Sequence, residues 1–191
     1  MRNVIPALMD EVCPAGSLFT LITDRSVTTP KPDLSVNTTV LQEMNPRAEI
    51  WNVLHDGGIA AIDGKIPGDV FIRINIPYLR KMFPEDGEEI IVRLANCSQL
   101  TMTIRDEDLT TDEPKRIVAT DTEILSTESE DVPVHVITTH GELDVDFEAF
   151  SLSLDNGRSI TFGELCEACE SYWNRWETEA KQNKSRMDNP N

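Results

Sequence analysis

Histidine and acidic residues adjoin at two places where they could bind a metal ion or exchange a proton. The pair His55-Asp56 has the residue types of metal-dependent phosphohydrolases, but Gly57-Gly58 follows it directly. An Asp before glycines is typical of a turn, in which the carboxylate accepts hydrogen bonds from backbone N–H groups. The pair therefore predicts a turn, and a metal-dependent hydrolase is kept as an alternative function.

The second place runs from His135 to Asp144 and includes His140 and Glu142. In a strand the side chains alternate between two faces and successive residues rise about 3.3 Å. His135 then lies on one face of a strand, while His140 lies several residues away at a turn. The four side chains do not converge, so we predict no metal site here.

Cys166 and Cys169 form a Cys-x-x-Cys motif. A structural zinc site needs two further ligands, and a redox motif places its first cysteine at the start of a helix. Both residues instead lie inside a predicted helix, with Cys169 on the apolar side, so we interpret Cys169 as a small core residue. Together with Cys13 and Cys97, four cysteines are too few for a disulfide scaffold and predict a reduced, cytoplasmic protein.

The usual sequence signatures of enzymes have no match in this chain. It contains no Gly-x-Ser-x-Gly elbow, no phosphate loop and no dinucleotide-binding fingerprint. We therefore expect a protein that is not an enzyme and that has no cofactor.

The charge of the chain restricts its partners. Lys and Arg total 17 against 34 Asp and Glu, which gives a net charge of −17. Nucleic acids and anionic lipid surfaces attract Lys and Arg, so we expect neither as a direct partner. No stretch approaches the roughly 20 apolar residues that span a bilayer. The excess of acidic residues is concentrated in one part of the chain, since residues 84–148 carry eighteen acidic and four basic residues.

Residues 141–148 place several of these charges on one side of a strand. Because side chains alternate, Leu143, Val145 and Phe147 are predicted to point inward. The outward residues are all acidic: Glu142, Asp144, Asp146 and Glu148. Neighbours in such a row stand about 6.6–6.8 Å apart, which is close to the spacing of phosphates along a nucleic-acid strand.

Two interpretations of this acidic row stay open. One is a solvated sheet face, whose like charges discourage pairing with strands of other chains. The other is a carboxylate surface for a basic protein, such as a nuclease whose DNA-binding cleft it would fill. On that interpretation the partner-binding surface also includes other acidic residues, namely Glu88, Glu89, Asp106, Glu107 and Asp108.

Short strands must position these residues. Runs rich in Val, Ile, Thr and Phe, separated by Gly, Pro, Asn and Asp, indicate strands between residues 49 and 162. The predicted strands lie at 49–55, 59–63, 69–76, 89–95, 99–105, 117–127, 132–138, 142–150, 151–155 and 159–162. This spacing predicts a mainly β (α+β) fold, an antiparallel β-sandwich or a curled barrel.

The breaks between these runs predict the connections. Asp56-Gly57-Gly58 predicts a hairpin turn, because glycine accepts the positive φ that such turns require. Prolines bound the segment 77–84, which predicts one helical turn. The acidic segment 106–115 predicts an exposed loop, and Asp155-Asn156-Gly157 predicts a second tight turn.

A long helical pattern follows the strands. Apolar residues recur at steps of three and four, and Thr161 with Glu164 has the spacing of a capping box. The stripe consists of Leu165, Ala168, Cys169, Tyr172, Trp173 and Trp176. The chain is thus predicted to contain an N-terminal extension (1–45, with a candidate strand at 18–23), a β domain (46–162), an amphipathic helix packed on it (163–183) and a disordered tail (184–191).

Four segments resemble small β-rich immunity proteins of bacterial polymorphic-toxin systems. They are 54–59 (LHDGGI), 94–100 (LANCSQL), 123–125 (EIL) and 141–147 (GELDVDF). In that family a His-Asp segment opens a hairpin, an Asn-containing strand follows, and a late strand comes near the end. The resemblance implies an inhibitor that occupies a toxin by surface complementarity and carries no catalytic residue.

We therefore expect a cytoplasmic, non-enzymatic protein-binding module that engages a basic protein, for example an inhibitor or immunity protein. A structural or assembly subunit of a phage or multi-protein complex is an alternative. In that case Tyr172, Trp173 and Trp176 would form a contact between subunits, because exposed aromatic residues commonly anchor interfaces. The oligomeric state is left open.

Overall fold

Ten strands form two antiparallel sheets in the computed structural model, which describes residues 45–129 and 132–188. The chain divides into two units, Met1–Met44 and Asn45–Asn191, and the described residues belong to the second. The expectations for residues 1–44, including the strand at 18–23, lie outside the described residues, as does the end of the tail at 189–191. The predicted antiparallel β fold is confirmed as two sheets, with no closed barrel among the described residues.

Each sheet contains five strands. The first has the spatial order β1-β2-β3-β9-β10, with β1 at Gly58–Gly64, β2 at Gly68–Asn75, β3 at Glu89–Cys97, β9 at Ala149–Leu154 and β10 at Ser159–Ile160. The second has the order β5-β4-β8-β7-β6, with β4 at Gln99–Ile104, β5 at Leu109–Thr111, β6 at Ile124–Ser129, β7 at Val134–Thr138 and β8 at Gly141–Asp146.

Four helices and a 3₁₀ turn connect and flank the sheets. The helices are α1 at Pro46–Val53, α2 at Pro77–Arg80, α3 at Pro114–Val118 and α4 at Phe162–Asp188, and the 3₁₀ turn is Arg105–Glu107. The helical turn predicted within 77–84 is confirmed as α2.

The core lies between the alternating faces of the strands. On β2, Val70, Ile72 and Ile74 are buried, and on β8 Leu143 and Val145 are buried, as the alternation predicts. Each such side chain contributes roughly 1.5–3 kcal/mol by leaving water. Because one face of each strand is committed to this core, the register of the acidic residues on the other face is fixed.

The strand predicted at 49–55 is wrong, because these residues form most of α1. Asn45 caps the helix by accepting a hydrogen bond from the Arg47 N–H at 3.0 Å, and Pro46 begins the first turn. Ile50 and Trp51 are fully buried. A helix buried on nearly every side shows no amphipathic stripe, which is why its β-branched and aromatic residues suggested a strand.

The connection after α1 is therefore no hairpin turn. Asp56 adopts the positive φ there, at 63°, rather than either glycine. Gly57 is required for space, because a Cβ on it would lie 2.5 Å from the Ile74 Cγ2 atom. The chain thus passes from α1 directly into β1.

The segment 106–127 also differs from prediction. The expected loop at 106–115 contains part of the 3₁₀ turn and the short strand β5, and α3 begins at Pro114. The expected strand at 117–127 begins only at Ile124, because α3 continues to Val118 and buries Ile117. Proline at the first helical position was the signal for this helix.

The chain crosses between the two sheets twice, side by side. The β3–β4 connection passes through Ser98, and the β8–β9 connection passes through Phe147 and Glu148. The Ser98 N–H donates to the Asp146 carbonyl at 2.8 Å, and the Glu148 N–H donates to the Ala95 carbonyl at 3.0 Å. We call residues 95–98 and 146–148 the corner. The single strand predicted at 142–150 is therefore wrong, because it is divided here.

The predicted capping box and helix are present at α4. The Thr161 N–H donates to the Glu164 carboxylate at 2.7 Å, and the Glu164 N–H donates to the Thr161 hydroxyl at 3.1 Å. Leu165, Ala168 and Cys169 are buried in the common core. The helix continues to Asp188, beyond its expected end at residue 183.

Candidate functional site

The residues of the predicted acidic row on β8 lie in different surroundings. Its first residue, Glu142, is exposed, and no hydrogen bond or ion pair holds its carboxylate among the described residues. Asp144 lies opposite His135 of β7, and its Oδ1 atom is 2.5 Å from the His135 Nδ1 atom. Both side chains are only partly exposed, so the middle of the row is engaged across the strand pair.

The last two residues of the row stabilise the corner. Asp146 accepts a hydrogen bond from the Arg47 guanidinium at 3.0 Å and one from the Ser98 hydroxyl at 2.5 Å. Glu148, which lies beyond the end of β8, accepts a hydrogen bond from the Asn96 side-chain amide at 2.6 Å. Asn96 has a positive φ of 49°, so this bond supports the residue that bends the chain.

Arg47 connects the corner to α1. Its guanidinium carbon lies 4.9 Å from the centre of the Phe147 ring, while its Nη2 atom holds Asp146. An arginine placed over an aromatic face is attracted by the negative face of the ring. The carboxylate of Asp146 is therefore a structural group that joins the first helix to both sheets.

The other end of β8 collects acidic residues around the β7–β8 turn. The Arg105 N–H donates to the His140 carbonyl at 2.9 Å, which attaches the 3₁₀ turn to that turn. The Thr139 N–H donates to the Glu123 carbonyl at 3.0 Å, which attaches the start of β6. We call the five exposed acidic residues held here the acidic end: Asp106, Glu107, Asp108, Glu123 and Glu142.

Little positive charge opposes the acidic end. Glu107 pairs with Arg116 at 2.5 Å, and both side chains are about half exposed. The other four residues have no ion pair among the described residues. Asp108 adopts a left-handed conformation at φ 48°, which Asp tolerates better than most residues. The acidic end is thus a group of exposed carboxylates.

Glu88 and Glu89 lie apart from the acidic end. They stand at the start of β3 in the first sheet, whereas the 3₁₀ turn follows β4 at the far end of the second. Glu89 pairs with Arg73 on the neighbouring strand β2. Glu88 and Glu89 thus lie at the first sheet while Asp106 follows a strand of the second, and their inclusion in one partner-binding surface stays a prediction.

An ion pair with one fully buried partner lies close to Glu88 and Glu89. Arg80 of α2 is fully buried, and its Nε and Nη2 atoms donate to the Asp155 Oδ1 atom at 3.0 and 2.9 Å. The Asp155 Oδ2 atom accepts from the backbone N–H groups of Glu88 and Glu89 at 2.8 and 3.2 Å. Although burial acts to raise the pKa of Asp155, these donors and the Arg80 charge hold it below its ordinary value.

The candidate metal-ligating histidines have separate partners. The His55 Nδ1 atom is 3.1 Å from the Asp56 Oδ1 atom, and both side chains are close to half exposed at the end of α1. His140 instead contacts the Thr139 hydroxyl at 3.1 Å. Among the described residues, no group of three or more His, Cys, Asp or Glu side chains is placed to hold a metal ion.

Few of the acidic residues between positions 84 and 148 form ion pairs with arginine. Of the sixteen acidic residues described within 84–148, four pair with arginine. These are Glu85, Glu89, Glu107 and Asp146. The remaining carboxylates have no arginine partner among the described residues, and four of them belong to the acidic end. Sequence reasoning missed Glu123, because only the turn at Thr139 brings it there.

Comparison with known proteins found no family model, no curated protein and no solved structure that matches this chain. Within the described residues, no helix combines the length and the apolar character needed to cross a membrane.

Proposed function

We propose that this protein is a non-enzymatic binding module that engages a basic protein partner through its acidic end. The observation that carries the proposal is the grouping of Asp106, Glu107, Asp108, Glu123 and Glu142 around one turn, where a single arginine of the described residues is paired to them. Carboxylates used by the fold are held by donors from other elements. Four of these five have no such donor among the described residues and are exposed to solvent.

Electrostatic reasoning favours a basic partner. Like charges grouped on a surface repel one another, and a partner rich in Lys and Arg relieves that repulsion on binding. Complementary charge mainly raises the rate of association and selects among partners. Binding should therefore weaken as salt increases, because a Debye length of about 10 Å at 0.1 M screens exposed charges.

The similarity of four segments to immunity proteins supports a more specific form of this proposal. In that form the protein is a cytoplasmic inhibitor whose acidic end fills the basic cleft of a toxin. The segment 141–147 contributes Glu142 to the acidic end, while Asp146 of the same segment belongs to the corner. We therefore assign the recognition role to Glu142 and not to the whole row.

The test reverses charge at the acidic end and compares it with an equal change elsewhere. The test variant is Asp106→Lys, Glu123→Lys and Glu142→Lys, all exposed and without an ion pair among the described residues. The control variant is Asp63→Lys, Asp86→Lys and Glu88→Lys, which are equally exposed on the first sheet and its connections and change the net charge by the same amount.

Each tagged protein is used to capture partners, which are then quantified by mass spectrometry at low and high salt. We expect basic proteins captured by the wild type and by the control to be lost with the test variant. If both variants lose the same partners equally, net charge alone explains binding and the proposed surface is wrong. If neither loses them, the acidic end has no part in binding.

A structural or assembly subunit is a second candidate function, and one observation favours it. The Trp176 side chain remains 48% exposed on α4, in contrast to Trp51, which is fully buried. Light scattering on the purified protein tests it, because a monomer at all concentrations contradicts an assembly role.

A further inference from the structure

The second sheet ends in a short strand with an open outer side. In the order β5-β4-β8-β7-β6, β5 comes first, and among the described strands it pairs with β4 alone. Leu109 lies opposite Ile104, and Thr110 lies opposite Thr103. A strand at the edge of a sheet presents backbone N–H and C=O groups with which another strand can pair.

The hydrogen bonds of β4 show which backbone groups of β5 point outward. In an antiparallel ladder the backbone groups of successive residues point to opposite neighbours. The Arg105 N–H donates to the turn before β8, so Ile104, one residue earlier, points to β5. Leu109, its partner, is therefore bonded in the ladder, and Thr110 directs its N–H and carbonyl away from β4. The hydroxyl oxygens of Thr103 and Thr110 lie 3.2 Å apart, as suits a pair of this type, whose side chains are the closer ones.

The outward groups of Thr110 have no cover. Its side chain is exposed, and within the described part of the chain no hydrogen bond holds its N–H or its carbonyl oxygen. Two other edge strands are covered in part. The Ile59 N–H of β1 donates to the Thr122 carbonyl at 2.8 Å. The Thr127 N–H of β6 donates to the Asn52 side chain, also at 2.8 Å. The edge of β5 differs from these two because it keeps an open donor and an open acceptor.

Acidic side chains flank this open edge. Asp108 comes directly before β5 and Asp112 directly after it, and both are exposed. Neither carboxylate forms an ion pair with another described residue. The nearest basic residues in the sequence, Arg105 and Lys115, stand further from the strand than these two aspartates. A strand that approaches β5 is therefore met by negative charge at both of its ends.

We propose that β5 accepts an extended basic segment of the partner protein as a sixth strand of the second sheet. The inference rests on the proposed function and names the form in which the partner binds. Backbone hydrogen bonds to Thr110 contribute affinity, and Lys or Arg side chains select the segment by pairing with Asp108 and Asp112. Strand addition of this kind is a recurring mode of peptide recognition, in which main-chain bonds give affinity and side chains give specificity.

A second copy of this chain fits the same edge less well. Two β5 strands paired antiparallel about Thr110 place Asp108 of each copy beside Asp112 of the other. Like charges that face each other across a strand pair are destabilising. The acidic flanks therefore oppose self-association at this edge and leave it open to a basic strand.

Peptide binding to the full chain tests the proposal. The probe is a fluorescently labelled peptide of alternating residues, Lys-Val-Lys-Val-Lys-Val-Lys, which favours a strand and carries its charges on one face. The control peptide has the same sequence with every backbone nitrogen methylated, so it keeps the charge but cannot donate. At low salt we expect fluorescence anisotropy to show the probe binding about tenfold more tightly than the control, because the hydrogen bonds to Thr110 are lost. Equal binding of the two peptides would overturn the proposal.

Two variants at one position locate the binding at β5. Thr110→Pro removes the outward N–H but no ladder hydrogen bond, since an edge strand accepts proline where its nitrogen faces solvent. Thr110→Val keeps the N–H and the preference for a strand. We expect Thr110→Pro to bind the probe about tenfold more weakly and Thr110→Val to bind it as the wild type does. Equal affinity of the two variants would show that the probe binds elsewhere.

Amide hydrogen exchange of the wild type gives an answer that does not depend on how a variant folds. We expect the Thr110 amide to exchange rapidly in the free protein and to become protected when the probe binds. The Leu109 amide, which lies in the ladder with β4, is the internal control and should change little. A Thr110 amide that exchanges equally fast with and without bound probe would contradict strand addition.

Failure of this proposal is distinguishable from failure of the proposed function. In the capture experiment, the charge-reversed variant at Asp106, Glu123 and Glu142 tests the acidic end, and Thr110→Pro tests the edge of β5. If charge reversal loses the basic partners and Thr110→Pro retains them, the acidic end binds without strand addition and this proposal is wrong. If both lose them while Thr110→Val retains them, both proposals are supported.

Discussion

The corner and the acidic end lie at opposite ends of β8 and use the same chemical group in different ways. At the corner, Asp146 is held by Arg47 and Ser98, which come from α1 and from the β3–β4 connection. At the acidic end, Glu142 is exposed and faces only the uncharged residues Thr103 and Ile137 on the adjoining strands. Equal spacing along one strand therefore does not give carboxylates an equal role.

This comparison shows that the hydrogen-bond donors around a surface carboxylate determine its role. A carboxylate that accepts hydrogen bonds from several elements stabilises the fold, since each element would otherwise leave a donor without a partner. A carboxylate with no such donors is weakly repelled by neighbouring carboxylates and remains accessible to another molecule. Asp155, which binds buried Arg80 and two backbone N–H groups, is the extreme case of the first kind.

The largest effect is expected at Asp155. The variant Asp155→Ala leaves the fully buried Arg80 without its counter-charge, and breaking such a pair destabilises a protein by about 3 kcal/mol or more. The free energy of unfolding, measured with urea, should fall by that amount. The matched control Asp63→Ala removes an exposed carboxylate from the same sheet and should change stability by less than about 0.5 kcal/mol. Equal effects of the two variants would contradict the distinction.

A smaller effect is expected at the corner. The variant Asp146→Ala removes the acceptor for Arg47 and Ser98, and the loss of such charge-assisted hydrogen bonds should cost about 1–2 kcal/mol. Thermal and urea unfolding of Asp146→Ala and Glu142→Ala, two positions on the same strand, give the comparison directly. If Glu142→Ala is as destabilising as Asp146→Ala, the division of β8 into two regions is wrong.

The pH dependence of stability should follow Asp155 as well. Because its pKa is lowered in the folded protein, its contribution is complete above the unfolded-state value near 4 and is lost as pH falls through the folded value. The variant Asp155→Asn should therefore lose less stability than the wild type as pH is lowered below about 4. Part of the pH dependence of stability should remain in the variant, because the pKa of Asp69 is also lowered, by its hydrogen bond with Arg93. An identical slope in both proteins would show that Asp155 does not titrate as described.

The smallest effect is expected from neutralising the acidic end. The variant Glu142→Gln should leave stability within about 0.5 kcal/mol of the wild type, since no donor loses its partner. At low salt the change should be slightly stabilising, because it relieves repulsion from neighbouring carboxylates, and this gain should vanish at high salt. A destabilised variant would mean that Glu142 has a structural role.

The sequence predicted local features better than long-range ones. The alternation of β8 and the Thr161–Glu164 capping box depend on residues a few positions apart, and both are present. The corner depends on Arg47, which lies 99 residues before Asp146, and no local pattern reports such a contact. The apolar alternation continues through Phe147, so it hid the end of the strand.

The composition of the candidate site was predictable only in part. Glu142 was identified from the alternation along its strand, and Asp106, Glu107 and Asp108 were identified from the acidic segment predicted to be an exposed loop. Their grouping with Glu123 and their separation from Glu88 follow from sheet order, which alternation does not specify. Helix α1 was missed for a related reason, since a helix buried on nearly all sides lacks the periodic pattern by which helices are recognised.

The most direct measurement is zero-length carboxyl-to-amine crosslinking of the protein with its captured partners, followed by mass spectrometry of the linked peptides. Our account predicts links from Asp106, Glu123 and Glu142 to lysines of the partner and none from Asp146 or Asp155. Links concentrated instead at Asp63, Asp86 and Glu88, or spread evenly over the exposed carboxylates, would contradict it.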